Sequence, residues 1–164
     1  MTHKKSIFVL ALVASIAIVT PASANADTWQ KQMLSELNVI RVDKGLNPLK
    51  ICKPLTKSAL NYAKYMAAKN FLAHEGPDGS TIGTRIQKAG YDWMNSTQGS
   101  QIAENIAAGQ NSVSEVMKGW SKSKSHYKNM VNPVFTHVGF GMAVNERAIS
   151  KKYWVQHLGF GATC

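Results

Sequence analysis

Residues 135–144 read Phe135-Thr136-His137-Val138-Gly139-Phe140-Gly141-Met142-Ala143-Val144. Side chains of an extended strand alternate sides, so Val138, Phe140, Met142 and Val144 share one face and Gly139, Gly141 and Ala143 the other. Small residues along one face let another layer approach closely. Outward from this stretch, Lys152 to Phe160 reads as a second strand, and the polar run Asn145 to Lys151 makes the pair an antiparallel hairpin. Gln101 to Ala107 reads as a third, with Ile102, Glu104 and Ile106 in phase.

Four helices accompany them. The first is expected over Thr28 to Lys44, capped by Asp27, striped by Trp29, Met33, Leu37 and Ile40, and stopped at Gly45. The second starts with Pro54 in the first helical position and runs to Asn70, burying Leu55, Ala59, Tyr62, Ala63 and Met66. A short third covers Ile82 to Ala89, capped by Ser80 or Thr81. Ser112 with Glu115 forms a capping box for the fourth, whose inner face is Val113, Val116, Met117 and Trp120 and whose far end approaches His126. The pattern is that of helices stacked on a small, mostly antiparallel sheet.

The chain has 164 residues, enough for one sizeable core, and contains no repeat or linker that would divide it. Met1 to Ala24 reads as a signal peptide: Lys4 and Lys5 begin it, an apolar run covers Ile7 to Val19, and Ala22-Ser23-Ala24 suits cleavage. Residues 25–164 are then one mature domain, exported and expected to be monomeric. The apolar run is shorter than the ~20 residues of a membrane-spanning helix. Without Lys4 and Lys5 the net charge is +8 rather than +10. Such a charge favours anionic surfaces without specifying a fold. Two cysteines, Cys52 and Cys164, are expected to pair in an oxidising compartment. Asn95-Ser96-Thr97 is the one glycosylation sequon.

Glu104 is the most informative polar residue. Its phase with Ile102 and Ile106 turns a carboxylate inward, where an unpaired charge is costly, so it needs a partner. His74, His126, His137, His157, an Arg or a Lys would serve. One reading is a structural Glu held by backbone or Arg; the other is a functional group. His74 lies in a loop, and His126 near a helix end where an imidazolium would meet the helix C-terminal dipole. No HExxH, CxxC or HxH spacing links them.

Several stretches occur together in one order: Phe71-Leu72-Ala73-His74-Glu75-Gly76-Pro77-Asp78-Gly79-Ser80, Ala103-Glu104-Asn105-Ile106-Ala107, Trp120 with His126 six residues on, Phe135 to Gly141, and Tyr153-Trp154-Val155-Gln156. With Asn38 and Arg41 as an N-x-x-R pair, they resemble the CAP superfamily, the SCP-like domain of cysteine-rich secretory proteins, antigen 5 and pathogenesis-related proteins. The resemblance covers nearly the whole mature chain. It implies an α+β, three-layer α-β-α sandwich with a cleft where two His and two acidic residues meet, a site that holds zinc in some members. By this resemblance the cleft comprises His74, Glu104, Ser123 and His126, with His74, Glu104 and His126 as metal ligands. Ser123 stands where longer eukaryotic relatives have Glu, and only two residues separate it from His126. This is similar to the compact microbial form and removes the segment that binds sterol in some relatives.

Two imidazoles and a carboxylate suit Zn²⁺ with an open fourth position, or equally a metal-free network in which Glu104 orients a histidine. A serine hydrolase lacks support, because there is no GxSxG elbow and Ser125 and His126 point about 100° apart on a helix. The expected function is non-catalytic binding of lipid or wall-derived ligands, with a hydrolase or protease at the same His-Glu-His site as the alternative. Lys118, Lys122, Lys124 and Lys128 are either a solvated surface or a docking patch for anionic lipid or wall polymer. No nucleic-acid motif occurs, so nucleic acid is not expected as a partner.

Overall fold

The computed structural model describes residues 22–97 and 99–164, with side chains from Thr28 onward. Residues 1–21, most of the expected leader, lie outside the described residues. Five helices and four strands follow one another: α1 (Ala22–Val42), β1 (Lys50–Ile51), α2 (Lys53–Lys69), α3 (Ile82–Lys88), β2 (Gln101–Ala108), α4 (Val113–Lys122), α5 (Lys124–Met130), β3 (His137–Val144) and β4 (Lys152–Phe160). The sheet order is β1-β3-β4-β2. β3 and β4 form the expected antiparallel hairpin, β2 joins β4 antiparallel, and β1 pairs parallel with β3 through Lys50–His137 and Ile51–Val138. The sheet is therefore mixed.

Helices cover both faces. On one, Met33 and Leu37 of α1 and Val116, Met117 and Trp120 of α4 are buried against Val138, Phe140, Trp154 and Leu158. On the other, Ala59, Tyr62, Ala63 and Met66 of α2 meet Ile106, Tyr153 and Val155, while Ile86 of α3 joins Cys52, Leu55 and Tyr91. Each large apolar side chain fully buried in these layers stabilises by about 1.5–3 kcal/mol relative to exposure. The small face of β3 explains the close approach of α2: a Cβ at Gly139 would strike the backbone at Leu55 and Thr56, and one at Gly141 the backbone at Ala59. Cys52 and Cys164 form a disulfide. It closes a loop of sequence separation 112, for which chain entropy alone gives roughly 5 kcal/mol.

Several sequence expectations are corrected. Helix α1 starts at Ala22, so Asp27 lies inside it rather than capping it; Ala22, Ala24 and Ala26 favour the longer helix. Pro54 is the second residue of α2, not the first. Ser112 Oγ accepts from Glu115 N, but the Glu115 carboxylate turns to Asn111 N at 2.8 Å, so the box is one-sided. The reciprocal box is instead at α3, between Thr81 and Thr84. The fourth helix breaks at Ser123, where an extended backbone ends α4 and starts α5. His126 is accordingly in the first turn of a new helix, and the interaction with a helix C-terminus does not arise.

Candidate functional site

The register of β2 against β4 sets Glu104 directly opposite His157. Both face the layer formed by α2 and α3. His157 Nε2 lies 2.8 Å from Glu104 Oε2, and His157 is fully buried. His157 Nδ1 is also buried and has no hydrogen-bond partner. A proton there would be an orphaned buried donor, so His157 is the neutral tautomer that donates from Nε2. Burial drives its pKa down, outweighing the opposing pull of Glu104.

Two further groups complete the shell around Glu104. Arg85 of α3 donates from Nη2 to Glu104 Oε2 and to the His74 carbonyl, both at 2.9 Å, and from Nη1 to the Ser80 carbonyl at 2.7 Å. Its guanidinium stacks 3.4 Å from the centroid of the Tyr62 ring. Tyr62 Oη in turn donates to the Ala73 carbonyl at 2.6 Å. The loop bearing His74 is thus held by Arg85 and Tyr62, and His74 Nδ1 reaches Glu104 Oε1 at 2.8 Å. The side chain of His74 is 62% exposed and that of Glu104 only 2%. Here a buried carboxylate orients an imidazole that solvent can reach.

The charges follow from this geometry. Burial alone would raise the Glu104 carboxyl, but hydrogen bonds from His157 and His74, with the nearby Arg85 charge, hold it at about 2. The hydrogen bond to Glu104 raises His74, against a smaller opposing effect of burial. His126 is lowered by burial and then by the charge of His74. His74 is therefore the cation-prone imidazole of the two and His126 the one held toward its neutral form.

Glu104 and Asn105, adjacent on β2, face opposite sides of the sheet and hold the two histidines separately. Asn105 Nδ2 donates to the His126 carbonyl at 3.1 Å and to Gln156 Oε1 at 2.8 Å, while its Oδ1 accepts from Asn129 Nδ2 at 2.9 Å. These contacts pin α5 and so place His126. The half-buried His126 imidazole makes no hydrogen bond to a described residue, although the charge of His74 acts on it. Ser123, expected in the cleft, sits at the α4–α5 joint with its Oγ 3.3 Å from Ser125 Oγ, and neither hydroxyl bonds an imidazole. Thr136 Oγ1 does lie 3.0 Å from His137 Nδ1, but no carboxylate bonds that ring.

The expected ligand set was His74, Glu104 and His126. Glu104 Oε1 is taken by His74, and Oε2 by both Arg85 and His157. Among the described residues no group of three or more His, Cys, Asp or Glu is arranged to hold a metal ion. With both Glu104 oxygens engaged, His74 Nε2 and the His126 ring are what remain of that set, fewer than the three protein ligands of a catalytic zinc site. The residues as arranged do not fit a three-ligand zinc centre. Arg85 and His157 were the functional residues hardest to foresee. The inward phase of Glu104 signalled that partners must exist, but only the pairing of β2 with β4 identifies His157.

Comparison with known proteins agrees with this architecture. The model of the cysteine-rich secretory protein (CAP) family matches residues 34–158. YkwD of Bacillus subtilis, an uncharacterized protein, is 34% identical over 122 residues, 74% of this chain and 45% of YkwD. The chain spans less than half the length of the curated relatives it matches. An extracellular protein containing a SCP domain from Bacillus anthracis superposes with a TM-score of 0.66 at 26% identity, over 87% of this chain and 44% of that one. An outer surface protein from Borrelia burgdorferi gives 0.70 at 22% identity, over 83% of this chain and 95% of its own.

Proposed function

The chain belongs to the cysteine-rich secretory protein (CAP) family, and from that premise we propose that it is an exported domain which binds lipid or wall-derived ligands at the His74–His126 cleft without turning them over. The supporting observation is the buried Glu104, which with Arg85 and His157 fixes the exposed His74 as a cation-prone donor. Such a group recognises an anionic or strongly polar part of a ligand. Among the described residues no helix is long and apolar enough to cross a membrane. Lys118, Lys122, Lys124 and Lys128 are all exposed and would assist encounter with an anionic surface.

Non-catalytic action is favoured because no hydroxyl or thiol bonds either cleft imidazole among the described residues. The test incubates the protein with phosphatidylglycerol vesicles or soluble peptidoglycan fragments, measures binding, and recovers the ligand for mass analysis. Saturable binding weakened about tenfold by His74→Ala with His126→Ala, and an intact ligand, is expected. Chelator-sensitive turnover abolished by His126→Ala in a folded protein would instead establish the hydrolase reading. Zinc enters as a competitor for the same imidazoles. Titrated at neutral pH it is expected to bind weakly and to be displaced on acidification as protons take the rings. Binding that survives both alanine substitutions would place the metal elsewhere.

A further inference from the structure

A cavity of about 360 Å³ opens between α2 and α3. Arg85 and Tyr62 form part of its wall, but His74, Glu104 and His126 do not. Lys57, Ser58, Asn61, Asp78 and Lys88 also line it. Ser58 is 3% exposed and its Oγ has no hydrogen-bond partner. The Arg85 side chain is 10% exposed, and its Nε is likewise without a partner although its two terminal nitrogens are engaged. Both atoms are closed to solvent in this conformation, so the groups that an occupant of the cavity can meet are the exposed ones, Lys57, Asn61, Asp78 and Lys88.

The chemistry of the wall narrows the ligand. Lys57 and Lys88 are exposed and form no ion pair among the described residues. Arg85 is already neutralised by Glu104, so these two lysines are the cations available to a ligand. Asp78 is the one acid in the wall; its Oδ1 accepts from Ser80 N at 3.1 Å. A bare anion would be repelled by Asp78, whereas hydroxyl groups would donate to it and would also reach Asn61. The volume lies within the range of small-molecule pockets. We propose that the α2–α3 cavity is a second binding site, for an anionic polyol: a sugar or glycerol bearing a phosphate or a carboxylate, with its acid group between Lys57 and Lys88 and its hydroxyls on Asp78 and Asn61.

Calorimetric titration of the full chain at low ionic strength tests this with glycerol 3-phosphate and glucuronate as anionic probes, and glycerol and glucose as neutral counterparts. Saturable binding of at least one anionic probe is expected, and which of them binds assigns phosphate or carboxylate. Lys57→Gln and Lys88→Gln should each weaken it about three- to fivefold, and Asn61→Ala about threefold. Lys118→Gln and His126→Ala should leave it unchanged, which separates this site from the cleft. The lysine substitutions are on the surface and preserve folding, verifiable by circular dichroism. Absence of saturable binding up to about 10 mM overturns the proposal. So does equal binding of the neutral counterparts, or a loss caused as strongly by Lys118→Gln.

Discussion

Arg41 is a fully buried guanidinium and Arg85 a largely buried one, yet their surroundings differ in kind. Arg41 is fully buried and meets only backbone: Nε donates to the Asn47 carbonyl at 2.9 Å, Nη1 to those of Met130 and Asn132 at 2.9 Å, and Nη2 to that of Phe135 at 3.3 Å. Beside it Asn38 imitates a strand, exchanging two hydrogen bonds with Leu49. The N-x-x-R pair therefore clamps the end of α1 to the segment between α5 and β3. Arg85 instead meets a carboxylate, and through it two histidines, one of them open to solvent. Closed satisfaction by carbonyls stabilises a fold. Satisfaction by titratable side chains that reach the surface leaves chemistry for a ligand.

Substitution at the closed clamp is expected to have the largest effect. Arg41→Met removes four hydrogen bonds and strands buried carbonyls, costing about 3–5 kcal/mol in urea unfolding at any pH where the protein is folded. A loss below ~1 kcal/mol would mean that the clamp is not the structural element described.

Glu104→Gln comes next, and its cost should depend on pH. The folded carboxyl lies near 2 against an ordinary 4.5. A depressed carboxyl contributes stability fully above its unfolded value, lost as pH falls through the folded one. The difference between wild type and Glu104→Gln should be on the order of 3 kcal/mol at pH 7 and should shrink between about pH 4.5 and 2. A pH-independent difference would show that packing, not charge, is what the substitution removes.

His74→Ala sits at the other extreme. Its ion pair is largely exposed, so the change in stability should stay below about 1 kcal/mol, while binding at the cleft weakens. A destabilisation as large as that of Glu104→Gln would make His74 part of the structural core and erase the distinction between the two arginines.

The sequence made the sheet and its close helix legible because their signals are local. The small face of Gly139, Gly141 and Ala143 anticipated a closely packed layer, which α2 supplies, and β4 runs over Lys152–Phe160 as read. β1 was missed because two residues carry no periodicity and become a strand only through β3. The joint at Ser123 was missed because Ser121 to Ser125 contains neither Gly nor Pro, although the α4 apolar stripe does end at Trp120. At the site, strand phase alone turned Glu104 inward and required a partner. Which histidine answers depends on pairing between distant segments, Glu104 and His157 being 53 positions apart, and no local pattern encodes that register.

The central claim is that Glu104 raises His74, whereas burial lowers His126 and keeps His157 neutral against the pull of Glu104. Nuclear magnetic resonance titration of the imidazole protons in chelator-treated protein tests it directly. His74 is expected to titrate above 6.5, His126 below it, and His157 to remain neutral until acid unfolds the chain. Glu104→Gln should return His74 toward 6.5. A His74 that titrates at or below 6.5 in the wild type, or is unmoved by that substitution, contradicts the account.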